Sequence, residues 1–144
     1  MSQMKQQFQK CVQFKQVLYP SVGWIKTLRE LYGMSTLALA KRMGVAQAAV
    51  SQAENRETQD RITLETLRKF AHALNCDLAY VFIPREDPEQ FLTKRAEKKA
   101  KKMVQELQQT MDLDDQSISQ EARVYQEKQL TEELLNNPKK IWED

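Results

Sequence analysis

The sequence predicts an all-α protein: five short helices, one short strand after them, and a helical arm at the C-terminus. Three observations carry that expectation. Only 3 of the 144 residues are glycine, and the remainder is rich in Gln, Glu, Lys, Leu and Ala, which favour helices over tight turns. Apolar residues recur at three- and four-residue steps. Ser or Thr stands before most of these stretches, and Gly or Asn stands after them. The length suits one ordinary domain or a small domain with an arm.

Residues 1–20 form an N-terminal segment, expected helical over 3–18 with Phe8, Cys11, Val12, Phe14, Val17 and Leu18 as its apolar residues and Pro20 as its stop. Residues 21–78 form the body. SVGWIKTLRELYG begins at Ser21 as a possible N-cap, carries Trp24, Ile25, Leu28 and Leu31 along one side, and ends at Gly33. Ser35 caps STLALAKRM, whose Leu39, Ala40 and Met43 point inward, and Gly44 closes it in a positive-φ conformation. AQAAVSQAEN gives a fourth helix, followed by the polar loop RETQDR. Thr63 then caps LETLRKFAHAL, with Asn75 as a left-handed terminus.

Residues 79–87 are read as a short strand and linker, the strand being the aromatic and β-branched run Leu78–Ile83, closed by Pro84. A lone strand leaves its edge unpaired, so it either pairs with its copy in a second subunit or lies over the helical body without pairing. Residues 88–144 form the arm: a polar helix from Pro88 to about Thr110, a break at MDLDDQS, and a helix over 117–136 before Pro138. Its apolar face is too thin for a core of its own, so it is expected to pack on the body, a second subunit or another protein.

Charge and composition exclude several classes. Residues 1–102 hold 18 Lys and Arg against 10 Asp and Glu, a net +8, while residues 103–144 hold 4 against 10, a net −6. A basic body suits a polyanion, and the acidic tail suits either a basic protein partner or solubility. Cys11 and Cys76 form no CxxC pair and His72 is the single histidine, so neither a disulfide framework, a metal site nor a catalytic triad is expected. Asp112, Asp114 and Asp115 lack the glycine and terminal glutamate of a calcium loop. No apolar run nears the ~20 residues of a membrane span, and the N-terminus is too polar for a signal peptide. A cytoplasmic protein with reduced thiols, no cofactor, no membrane contact and no enzyme activity is expected.

Two short helices joined through a turn at Gly44, inside a compact helical set, form the pattern of a helix-turn-helix. Ala40 is small where the second helix crosses the first, Val45 is expected to plug the core beneath the turn, and Val50 anchors the inner face of the recognition helix. The stretch Ile25–Leu78 resembles, without gaps, the Cro/cI (XRE) repressor family, through LREL, the LA and RMGV segments, VS and LETLRKFAHAL. That resemblance implies an ion pair between Arg29 and Glu54. It places Gln47, Ala48, Ser51 and Gln52 on the groove-facing side of the recognition helix. A glutamine can bond adenine at N6 and N7, and an alanine methyl can touch thymine. It places Thr36 and Asn55 on phosphates, and Arg56 is added to them; Arg42, Arg56 and Arg61 are all basic and nearby and are read equally well as solvated. Ala46 opens the recognition helix where the family has Ser or Thr, and this missing cap costs ~0.5–2 kcal/mol.

The string from Pro20 to Glu54, the CDLAYVFIPR segment and the tail ELLNNPKKIWED together resemble the mobile mystery protein A family. That resemblance implies an antitoxin paired with a Fic-domain toxin. Fic inhibitors present a helix with the motif [S/T]xxxE[G/N], and Ser117 to Glu121 fits its first part, with Ala122 in place of Gly or Asn. Thr93 to Glu97 fits the same relaxed pattern. The expected function is a homodimeric repressor that binds a palindromic operator in double-stranded DNA and neutralises a Fic-type toxin. The alternatives are a plain dimeric repressor and a protein inhibitor that has lost DNA binding.

Overall fold

A computed structural model describes residues 2–113 and 119–143, and the side chains of 3–110 and 119–143. Its helices are α1 (Ser2–Cys11), α2 (Trp24–Leu31), α3 (Thr36–Met43), α4 (Gln47–Thr58), α5 (Leu64–Ala73), α6 (Pro88–Leu113) and α7 (Gln120–Asn136), with 3₁₀ turns at Val12–Gln16 and Pro138–Trp142. Among the described residues there is no strand, and the fold is all-α. The chain divides into two compact units, Gln13–Phe82, and Met1–Val12 with Ile83–Asp144.

In the Gln13–Phe82 unit, α2 to α5 close over one core of Ile25, Leu39, Ala40, Val50, Ala53, Phe70 and Leu74, flanked by Leu28, Met43 and Leu67. Local chemistry sets the helix ends. The Ser35 hydroxyl accepts from the Ala38 amide at 3.0 Å, and that of Thr63 accepts from Thr66 at 3.1 Å; each satisfies a donor the helix itself leaves unpaired. Gly44 adopts φ 70°, which lets the Val45 amide turn back to the Ala40 carbonyl at 3.0 Å. Asn75, at φ 56°, terminates the segment after α5 in the same left-handed region.

Several expectations are corrected. Ser21 does not cap α2; the cap position is Gly23, whose own side offers no bond, and the Glu57 carboxylate takes the Trp24 and Ile25 amides at 2.8 and 2.9 Å. The loop expected from Arg56 is the last turn of α4, which runs on to Thr58, because Glu57 is held by α2. Trp24 and Leu31 do not join Ile25 in the core, and Val45 is 41% exposed rather than a plug. An eight-residue helix has room for only a narrow buried stripe. Val12, Phe14, Val17 and Leu18 are exposed, and the expected helix over 3–18 gives way at Val12 to a 3₁₀ turn before Pro20, since the apolar positions there hold no regular helical phase.

The strand expected at Leu78–Ile83 is absent: residues 75–84 carry neither helix nor strand, for a ladder needs a partner and no second segment among the described residues supplies one. Tyr80 and Phe82 in it are 58% and 81% exposed.

The arm also departs from expectation, since it builds a small core of its own. Ala96 and Ala100 of α6 pack with Leu134 of α7 and Ile141 of the following turn, flanked by Leu92, Leu130 and Leu135. Alanines let two helices approach closely, so modest apolar content suffices for a helical hairpin. Trp142 stacks on Phe91 with centroids 6.1 Å apart, under the Arg95 guanidinium at 4.9 Å. In the same unit the Lys5 ammonium lies 2.8 Å from Glu89, whose hydrogen bond raises its pKa above the ordinary lysine value.

Candidate nucleic-acid interface

The site rests on how α3 and α4 divide their faces. Along α4, Val50, Ala53 and Glu54 turn inward and are buried, so residues 48, 52 and 55 fall on the opposite side of the helical wheel, with Ser51 at its edge and Gln47, in the first turn, on the flank nearer the buried stripe. Gln47, Ala48, Ser51, Gln52 and Asn55 are all exposed. This face bears amides, a hydroxyl and a methyl but no charge, which matches what base edges in a major groove require: paired donors and acceptors plus an apolar contact. Thr36, in the first turn of α3, is half-buried, and its hydroxyl accepts a hydrogen bond from Gln47 Nε2 at 2.8 Å. That bond orients the Gln47 amide and does not use its carbonyl oxygen or second N–H.

The inner face is pinned by the expected ion pair. Arg29 Nε donates to Glu54 Oε1 at 2.6 Å, with both side chains about nine-tenths buried, and Arg29 Nη1 also donates to the Met34 carbonyl at 2.9 Å. One guanidinium thereby ties α2, the turn before α3, and α4.

Arg56 and Arg61 are exposed and share a groove with Gln52, Thr63, Thr66 and Lys69, so basic groups flank the neutral outer side of α4. The Arg61 amide donates to the Arg56 carbonyl at 2.8 Å, which keeps the two arginines adjacent. Arg42 is drawn elsewhere: its Nε donates to the Ala73 carbonyl at 2.7 Å and staples α3 to the end of α5. Ala46 opens α4 with no side-chain cap. Sequence reasoning missed Glu57 and Arg42, whose partners lie 33 and 31 residues away; the inward phase shared by Glu54 and Glu57 was the available signal for the first.

Of the residues singled out in the arm, Glu121 is exposed in the first turn of α7. Ser117 lies outside the described residues, as do the side chains of Asp112, Asp114 and Asp115. The α7 cap is Ser119, which accepts from the Ala122 amide at 3.2 Å. Cys11 and Cys76 are free thiols. No group of three metal-ligating side chains occurs among the described residues, and none of the described helices is long and apolar enough to cross a membrane.

Residues 25–81 match the family model described as Helix-turn-helix. No curated protein and no solved structure matches the chain. The family match supports a DNA-binding transcriptional regulator with a helix-turn-helix domain of the Cro/cI (XRE) type.

Proposed function

We propose that this chain is a sequence-specific repressor that inserts α4 into the major groove. Gln47, Ala48, Ser51 and Gln52 read bases there, while Thr36, Asn55 and Arg56 hold phosphates. The carrying observation is the set of uncharged, exposed side chains on α4, Gln47, Ala48, Ser51, Gln52 and Asn55, beside its buried stripe of Val50, Ala53 and Glu54. Each bidentate glutamine contact is worth ~1–3 kcal/mol of discrimination between bases. Selection of sites from random duplexes should therefore give a defined consensus for the wild type, and Gln47→Ala and Gln52→Ala should each relax one position of it while salt-sensitive nonspecific binding persists. An unchanged consensus in both variants sinks the assignment.

The protein acts as a homodimer on a palindromic operator. Tyr80 and Phe82, two residues apart and exposed, would sit on one face of an extended segment, and a second copy would cover them. A selected consensus without two-fold symmetry removes this part.

It further serves as the antitoxin of a Fic-type toxin. In support stand the resemblance over the body and the tail, and the shared exposure of Glu121, Val124 and Tyr125 at helical steps on α7, an acidic and apolar face fit for a protein partner. Leu134 is buried, and Trp142, stacked on Phe91, stays 53% exposed, so the surface offered is that face of α7 together with the exposed edge of Trp142. Co-expression of the full chain with the neighbouring toxin gene should protect cells, and Glu121→Ala should abolish protection if its carboxylate enters the nucleotide site. Full protection by Glu121→Ala removes the inhibitory-glutamate role.

A further inference from the structure

We propose that the groove between α6 and the Pro138–Trp142 turn is a second DNA contact, binding the sugar-phosphate backbone of duplex outside the bases that α4 reads; the inference rests on the DNA-binding reading above. The inward face of α6 carries Ala96, Ala100 and Val104, which leaves Lys98, Lys101 and Lys102 on its outer side. The groove is lined by six cations and only two carboxylates, Glu106 and Glu143. Local sign, and not the net charge of the acidic tail, decides what such a surface attracts.

Three of the basic groups around it are already committed. Lys94 pairs with Glu86 at 2.6 Å, Arg95 lies on Trp142, and Lys99 donates to the carbonyls of Lys140 and Glu143. Lys98, Lys101 and Lys102 are exposed and form no ion pair among the described residues, although Lys98 and Lys101 also border a neighbouring groove that holds Glu97, Glu127 and Glu132. From Lys98 to Lys102 the helix rises ~6 Å, a length over which a duplex presents three or four phosphate charges at about one per 1.7 Å. Three like charges this close repel one another, and a polyanion relieves that repulsion.

The groove is open and about 840 Å³ in volume, too large for a single small anion. Its chemistry disfavours a protein occupant: lysine is depleted in protein interfaces, and the apolar residues beneath it, Leu134 and Ile141, are buried in the unit's own core. Ammonium groups on flexible stems act as point charges, which suits sequence-independent phosphate contact.

The test is a salt titration of binding by the full chain and by its triple variant Lys98→Gln, Lys101→Gln, Lys102→Gln. It uses the selected operator within a duplex about three turns long, and in parallel a duplex of random sequence. These side chains stand outside the core, so an unchanged thermal melt is expected. If each lysine neutralises one phosphate, the slope of log K against log salt falls in magnitude by about 2.7, and the wild type loses about 40-fold more affinity than the variant between 50 and 200 mM salt. The consensus stays the same. An unchanged slope on both duplexes overturns the proposal, and retention of an acidic protein by this face in that case identifies the other occupant. Absence of any wild-type consensus is a failure of the α4 reading instead, and the random duplex still reads the groove.

Discussion

Glu54→Ala is expected to destabilise the Gln13–Phe82 unit by about 3–5 kcal/mol, the range for breaking a buried ion pair from one side. The Glu54 carboxylate is the 2.6 Å partner of Arg29 Nε, in a site where the two side chains are only 11% and 10% exposed. Removing it leaves a guanidinium that cannot lose its proton in a place from which water is largely excluded. The Met34 carbonyl, 2.9 Å from Nη1, satisfies one donor and does not neutralise the charge. A loss of that size is a large share of the 5–15 kcal/mol that holds a typical domain together. Replacing both partners at once, Arg29→Met with Glu54→Leu, removes the desolvation penalty along with the attraction and should return stability close to the wild type or above it. Urea denaturation in a Trp142→Phe background checks this, since Trp24 is then the sole tryptophan and belongs to the affected unit. A wild-type midpoint for Glu54→Ala would mean that the pair carries no net stability. A double variant as unstable as the single would mean that the arginine is not the cause.

What the sequence made legible follows the range of the interaction. Ser35, Gly44, Thr63 and Asn75 could be assigned because each acts on amides or carbonyls within a few residues of itself, and the residue type alone states the conformation. The buried positions Leu39, Ala40 and Val50 follow from helical phase once the turn at Gly44 is fixed, whereas Gln47, Ala48, Ser51 and Gln52 were singled out through the family resemblance. Arg29 and Glu54 were found through the family resemblance and not through spacing. Pairings across the fold left no local trace: Arg42 resembles any surface arginine until α5 brings the Ala73 carbonyl beneath it. The arm was misjudged for a related reason. Counting large apolar residues undervalues alanines such as Ala96 and Ala100, which contribute by letting helices approach. The run Leu78–Ile83 has the composition of a strand, yet that composition reports a preference for an extended, half-buried surface that only a partner can complete.

Gly23→Ala should cost about 2–4 kcal/mol, an effect invisible to any reading of position 23 alone. Gly23 sits at φ 86° and ψ 161°, a region essentially closed to residues with a side chain and costing ~1–3 kcal/mol to impose. A Cβ placed there would also lie 2.6 Å from Glu57 Oε1 and 2.8 Å from its Cδ, so the carboxylate must move. Moving it breaks the bonds from the Trp24 and Ile25 amides and removes the only cap α2 has, since Gly23 offers no side chain; loss of a cap is worth ~0.5–2 kcal/mol. The two contributions separate with Glu57→Ala, which discards the cap without straining the backbone and should cost only the second. In the double variant the Cβ at 23 no longer meets a carboxylate and the cap cannot be lost twice, so the combined loss falls short of the sum of the singles by roughly the cap energy. Chemical denaturation of the four proteins closes this cycle. Strict additivity would show that residue 23 and Glu57 do not share the α2 terminus, and a Gly23→Ala protein as stable as the wild type would show that the chain relaxes out of the glycine-only conformation without cost.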